Sequence, residues 1–136
     1  MQPAGVIVRA IDTNILARYL LEDDPHQSPI AVGIMATDVF IPVTVLLELG
    51  WLLMSRYRQS RLDTAAALRD IIDLPSVTVA DAARIRWAIV RFAEGADIAD
   101  MIHLTCSIPA GSFATFDSDI YHAAGEDTPV KIETLR

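Results

Sequence analysis

The chain has one cysteine, one lysine and no uncharged apolar run approaching the ~18 to 20 residues that a membrane-spanning helix requires. Each scarcity removes a class of function. A lone thiol, Cys106, cannot close an intramolecular disulfide, and at helical spacing beside Ile102 and His103 it reads as a small packed side chain in a reducing cytoplasm. With Lys131 the only lysine, and near the far end, no clear catalytic lysine is available. The opening residues show no basic segment leading into a long apolar stretch, and Asp12 interrupts the one that begins, so export is not expected. Positive charge is also short, with 11 Lys and Arg against 18 Asp and Glu and a net charge of -7. A nucleic-acid binder normally carries a basic footprint. A cluster of acids that holds cations weakens that objection, because a bound metal offsets the local charge. The arginines are uneven, with Arg56, Arg58 and Arg61 crowded together and Arg84, Arg86 and Arg91 along a later segment. Each group is either a basic patch or a solvated helix face.

A length of 136 residues fits a single domain, 1–136, with its own core, and the 52% hydrophobic content reads as core plus an oligomer interface. Short β-branched runs alternate with longer helical patterns, the signature of a parallel-sheet α/β domain. Strands are expected at Val6–Ile11, Asp38–Ile41, Val77–Val79 and Phe113–Phe116, with a last edge strand at Val130–Ile132. Helices are expected at Asn14–Leu21, about His26–Ala36, 42–57, Arg61–Asp73, from an Asp81 cap to about Ala93, and Asp97–Ser107. The helix over 42–57 carries Val45, Leu46, Leu49, Leu52 and Leu53 with Trp51 beside them, too broad a surface for one core contact. Burial beyond one protomer follows as an expectation.

Four acidic motifs place a carboxylate where a strand or turn hands over to a helix: Asp12-Thr13-Asn14, Glu48 within residues 42–49, Asp100 with Asp97, and Asp117 with Asp119. Carboxylates converging from distant segments share a cation, a proton or a basic group. In open α/β sheets ligands gather outside the carboxyl ends of the strands, which is where Asp12 and Asp117 would point. Glu48 and Asp100 approach from helices, and Asp97 and Asp100, three apart, share a helical face. Oxygen donors without a cysteine or a histidine pair select Mg²⁺ or Mn²⁺ over zinc, and such a site suits phosphoryl transfer. All four acids are expected on one pocket, with Asp12 and Asp100 as direct ligands. His103 reads as structural rather than as a ligand, Thr13 and Asn14 as caps or as support for Asp12, and Thr115 as orienting Asp117. Asp23, Asp24, Glu126 and Asp127 read as solvated turn residues. Taken singly, Asp12, Asp97 and Asp117 could be helix N-caps and Glu48 a surface residue. Against that, Glu48 sits between Leu47 and Leu49 with apolar neighbours on nearly every side, where an unpaired charge is costly.

At these residues the chain resembles the PIN-domain ribonucleases, in particular the VapC-type toxins of bacterial toxin–antitoxin pairs. The likeness runs through Ile11–Leu20, Ile41–Leu49, Asp97–His103 and Phe113–Asp119, in order and nearly the whole length. It implies a three-layer PIN-like fold, a central, mostly parallel sheet of four to five strands flanked by helices. It maps the four family acids onto Asp12, Glu48, Asp100 and Asp117, with Asp97 and Asp119 accessory. The implied activity is Mg²⁺- or Mn²⁺-dependent cleavage of single-stranded RNA by a cytoplasmic homodimer that a cognate antitoxin neutralises. Pro109 falls where the family helix usually continues, and should shorten or kink it. Two alternatives stand beside this reading, a PIN-like binding module without catalysis and a metal-dependent phosphatase of the haloacid dehalogenase kind. The phosphatase wants a second Asp two residues after the first, and Asn14 occupies that place.

Overall fold

Among residues 8–136, which the computed structural model describes, five short parallel strands alternate with seven α-helices. Val6 and Ile7 of the expected first strand lie outside that range. β1 (Arg9–Ala10) leads to α1 (Thr13–Leu21) and α2 (Gln27–Met35), and β2 (Val39–Phe40) leads to α3 (Val43–Ser55) and α4 (Arg61–Asp73). β3 (Val77–Thr78) is followed by α5 (Ala82–Ala93) and α6 (Ile98–Cys106), then β4 (Ser112–Thr115), α7 (Ser118–Ala124) and β5 (Lys131–Thr134). Among the described residues the strands are hydrogen-bonded as two ladders, β1-β2-β3 and β4-β5.

Local chemistry sets the boundaries. Pro42 precedes α3, its ring fixing φ at -59° where a missing N–H costs nothing. The Ser60 hydroxyl accepts from the Asp63 N–H to start α4, and Pro75 follows the end of that helix. Pro109 ends α6 as expected, the chain tightening into a 3₁₀ turn at Ile108–Ala110 that Gly111 closes at φ 82°. Asp81 departs from expectation: it stands at φ 53° and makes no side-chain cap bond to α5.

α3 packs against α1, α4 and α6 and runs through the centre. Leu46, Leu49 and Leu53 are buried in this protomer's own core with Leu16, Leu68, Ile89, Phe92, Met101 and Leu104. The expectation that these leucines are left over for another protomer is therefore corrected: of the residues singled out on that helix, Trp51 alone is largely exposed, at 66%. Cys106 is exposed rather than packed. No described helix is long and apolar enough to cross a membrane.

Gly125 closes α7 at φ 78° and ψ -171°, a backbone region essentially reserved for glycine. A Cβ there would also meet the Arg91 guanidinium at 3.2 Å, while Arg91 Nε holds the Ala123 carbonyl at 2.8 Å. Gly125→Ala should cost about 1–3 kcal/mol, read as a lower urea midpoint with an unchanged m-value. An unshifted midpoint would show that this turn relaxes without penalty.

Candidate active site

Three of the acidic motifs begin helices, and their carboxylates do the work of N-caps. Asp12 Oδ1 accepts from the Thr13 N–H at 2.7 Å, Asp97 Oδ1 from the Asp100 N–H at 3.0 Å, and Asp117 Oδ1 from the Asp119 N–H at 2.9 Å. Each bond satisfies a helix N–H that has no intrahelical acceptor, and sets a negative charge at the positive end of the helix dipole. Thr115 Oγ1 accepts from the Asp117 N–H at 3.0 Å and so fixes the backbone that carries the acid. In all three caps Oδ1 alone is used, and Oδ2 has no hydrogen bond among the described residues.

Glu48 is corrected. It is exposed, not enclosed by apolar side chains, so burial supplies no reason for a partner. Its contact is the Thr13 hydroxyl, which donates to Oε1 across 35 positions of sequence. Thr13 is 5% exposed, so this donor is locked against the core while its acceptor faces out. The sequence reading gave Thr13 a capping or supporting role for Asp12. The cap is Asp12 itself, and Thr13 is the residue that ties Asp12 to Glu48. Asp12, Thr13, Asn14, Glu48, Trp51 and Leu52 line one cavity of about 230 Å³.

Asp100 belongs to a second group. It is half-buried, and desolvation raises its carboxyl above the usual carboxylate value, with the negative charges of Asp97 and then Asp117 adding to the rise and His103 opposing it. Asp117, from the β4–α7 junction, thus lies within the field of an acid on α6. The four acids sit on or at the start of α1, α3, α6 and α7, which pack in that order, each against the next. Among the described residues no three His, Cys, Asp or Glu side chains stand close enough to enclose an ion. Asp12 and Glu48 line one cavity, and Asp100 lies in the field of Asp97 and Asp117, each cap bond tethering its acid to its own helix end. Asp119 is exposed in the first turn of α7 and His103 is exposed on α6.

Other residues read as solvated have partners. Asp23 pairs with Arg18 at 2.9 Å, and Asp24 accepts from the N–H groups of His26 and Gln27, bonds that hold its pKa below the usual value. Half of the arginines that suggested basic patches are structural: Arg61 bonds the Phe92 and Ala96 carbonyls, Arg86 pairs with Asp73, and Arg91 holds the Ala123 carbonyl.

The PIN domain family model matches residues 9–126, a span that takes in all four acidic motifs. The chain belongs to the PIN-domain family. No curated protein matches it. Membership removes the haloacid dehalogenase alternative and fixes the class of the fold, parallel α/β with flanking helices. It also gives the general activity, since PIN domains are nuclease-type domains that generally act with divalent metals. In this PIN domain the donor set fits a hard cation: the candidate ligands offer only oxygen, and each capping carboxylate keeps one oxygen uncommitted.

Proposed function

We propose that the chain is a Mg²⁺- or Mn²⁺-dependent endoribonuclease for single-stranded RNA, the toxin of a type II toxin–antitoxin pair, working as a homodimer and neutralised by a cognate antitoxin. The observation that carries the nuclease reading is the PIN family match over all four acidic motifs, supported by Asp100, whose half-burial and neighbours Asp97 on its own helix and Asp117 on another segment raise its carboxyl. Like charges brought together at a fold's expense are relieved by a cation. Asp12, Glu48, Asp100 and Asp117 would hold it, with Asp97 and Asp119 accessory. When bound, the ion supplies polarisation of the scissile phosphate and an activated water.

The chain's own residues prepare the site. Thr13 fixes the Glu48 carboxylate through a buried hydroxyl, in the way outer partners fix metal ligands. The Asp97 cap sets the first turn of α6 and with it the direction of Asp100. The toxin assignment rests on the ordered motif set. A non-catalytic binding module is favoured by one observation, that Asp12, Asp97 and Asp117 serve helix starts and would be useful without chemistry.

Cleavage of single-stranded RNA by purified protein in Mn²⁺, compared with Asp12→Asn, separates the two. Asparagine caps as well as aspartate, so the variant should fold normally and lose at least on the order of 100-fold in rate. A wild type that cuts no RNA, or a variant that cuts as fast, would return the acids to capping alone.

A further inference from the structure

Trp51 stands midway along α3, 66% exposed, and forms a wall of two adjoining cavities. The smaller is the one lined by Asp12, Thr13 and Glu48. The larger, about 420 Å³, is lined by Leu47, Gly50, Met54, Arg61 and Asp97 among others, a size at which small-molecule pockets begin. One indole is thus shared between the acids and an apolar recess.

Among the described residues Arg61 is the only cation lining either cavity. Its Nη1 is held by the carbonyls of Phe92 and Ala96, while Nε and Nη2 make no hydrogen bond among the described residues. The recess therefore joins a flat π-surface to a fixed guanidinium with donors to spare. An apolar peptide helix laid there would bury that guanidinium and the Asp97 carboxylate against carbon, at a desolvation cost. A strand of flat bases and phosphates offers the base to the indole and the phosphate to the spare Arg61 donors, away from the Asp97 carboxylate that also lines the recess.

We propose that Trp51 is the stacking platform for one base of the single-stranded RNA, the base next to the cleaved phosphate, which enters the recess between Trp51 and Arg61. The assignment rests on the ribonuclease reading above. Stacking strength grows with the π-face, so Trp51 gives the enzyme a purine preference at a single position beside the cut.

The test uses short randomised single-stranded RNA as the probe. In EDTA, where nothing is cut, RNA should quench wild-type tryptophan emission, and Trp51→Phe should remove the quench while RNA anisotropy still reports binding. Trp87, the other tryptophan, serves as the internal background. In Mn²⁺, sequencing of the cut ends should show the purine preference in wild type and Trp51→Phe and its loss in Trp51→Ala. The Ala variant should also raise KM by roughly 5- to 100-fold with kcat changed far less, the range that alanine substitution of a stacking aromatic gives. Because Trp51 is exposed, an unchanged circular dichroism spectrum is expected for both variants. A wild type that cuts RNA beside a Trp51→Ala variant with the same KM and the same cut sites overturns this proposal alone. Tryptophan emission that changes with protein concentration and not with RNA overturns it in favour of a face between two copies. A wild type that neither binds nor cuts the pool overturns the ribonuclease reading and this one with it.

Discussion

Replacing Asp100 by Asn should abolish metal-dependent RNA cleavage and at the same time raise the melting temperature of the protein in EDTA. Burial and the charges of Asp97 and Asp117 hold the Asp100 carboxyl above its usual pKa. A carboxyl whose folded pKa exceeds its unfolded one contributes stability that is complete below the unfolded value and is lost as pH rises through the folded value. At neutral pH the ionised group is therefore a net cost to the fold, and the amide removes it. The gain should be read as a higher melting temperature in EDTA at pH 7 that shrinks as pH falls toward the unfolded carboxyl value. In Mn²⁺ the order should reverse, because only the wild type gains from the ion. Activity should fall by on the order of 100-fold or more, since removing even an outer partner of a metal ligand costs about 10- to 100-fold. Melts in EDTA that place the variant below the wild type would show that Asp100 is a structural acid.

Arg61→Ala should be among the most destabilising single changes outside the apolar core. The guanidinium lies 4.9 Å from the centroid of the buried Phe92 ring and donates Nη1 to the Phe92 carbonyl at 2.9 Å and the Ala96 carbonyl at 2.6 Å. Those carbonyls belong to the end of α5 and the segment beyond it, where Phe92 also accepts from the Gly95 N–H and Ala96 has Arg61 as its donor among the described residues. One side chain thus ties the start of α4 to the residues that lead into Asp97. The Phe92 carbonyl keeps the Gly95 N–H at 3.0 Å, whereas the Ala96 carbonyl is left unpaired, which should cost about 1–3 kcal/mol and lower the melting temperature by roughly 3–12 °C. Arg61→Lys should recover little, because an ammonium cannot bridge two carbonyls while lying flat on a ring. A shift below about 2 °C would mean that water replaces the guanidinium at the Ala96 carbonyl.

The order of elements was legible because their boundaries have local causes. α4 runs over Arg61–Asp73, the span that Leu74-Pro75 closes, and β2 and β3 fall inside the β-branched runs that announced them. The environment of Glu48 was misread for a reason that helix geometry explains. Successive residues on a helix point about 100° apart, so Leu49 can face the core while Glu48 beside it faces water. Apolar neighbours in sequence are not apolar neighbours in space. The Thr13–Glu48 bond was invisible for a related reason: it joins α1 to α3 through tertiary packing, and no spacing along the chain encodes it. Nor does a strand's own sequence say which neighbour it hydrogen-bonds, so the division of five strands into two ladders emerged only in three dimensions.

That division sets how the acids come together as the chain fluctuates. Asp12 follows β1, in the three-stranded ladder, whereas Asp117 follows β4, whose described hydrogen-bonded strand neighbour is β5, with the Leu135 N–H closing on the Thr115 carbonyl at 2.7 Å. Cooperative units of local unfolding commonly coincide with such supersecondary pieces, and they open at free energies below that of global unfolding. The β4–α7–β5 piece can open and carry Asp117 away without breaking a rung between β1 and β2. If that piece opens as a cooperative unit, amide exchange along residues 112–134 should share one protection lower than that of the β1–β2 residues.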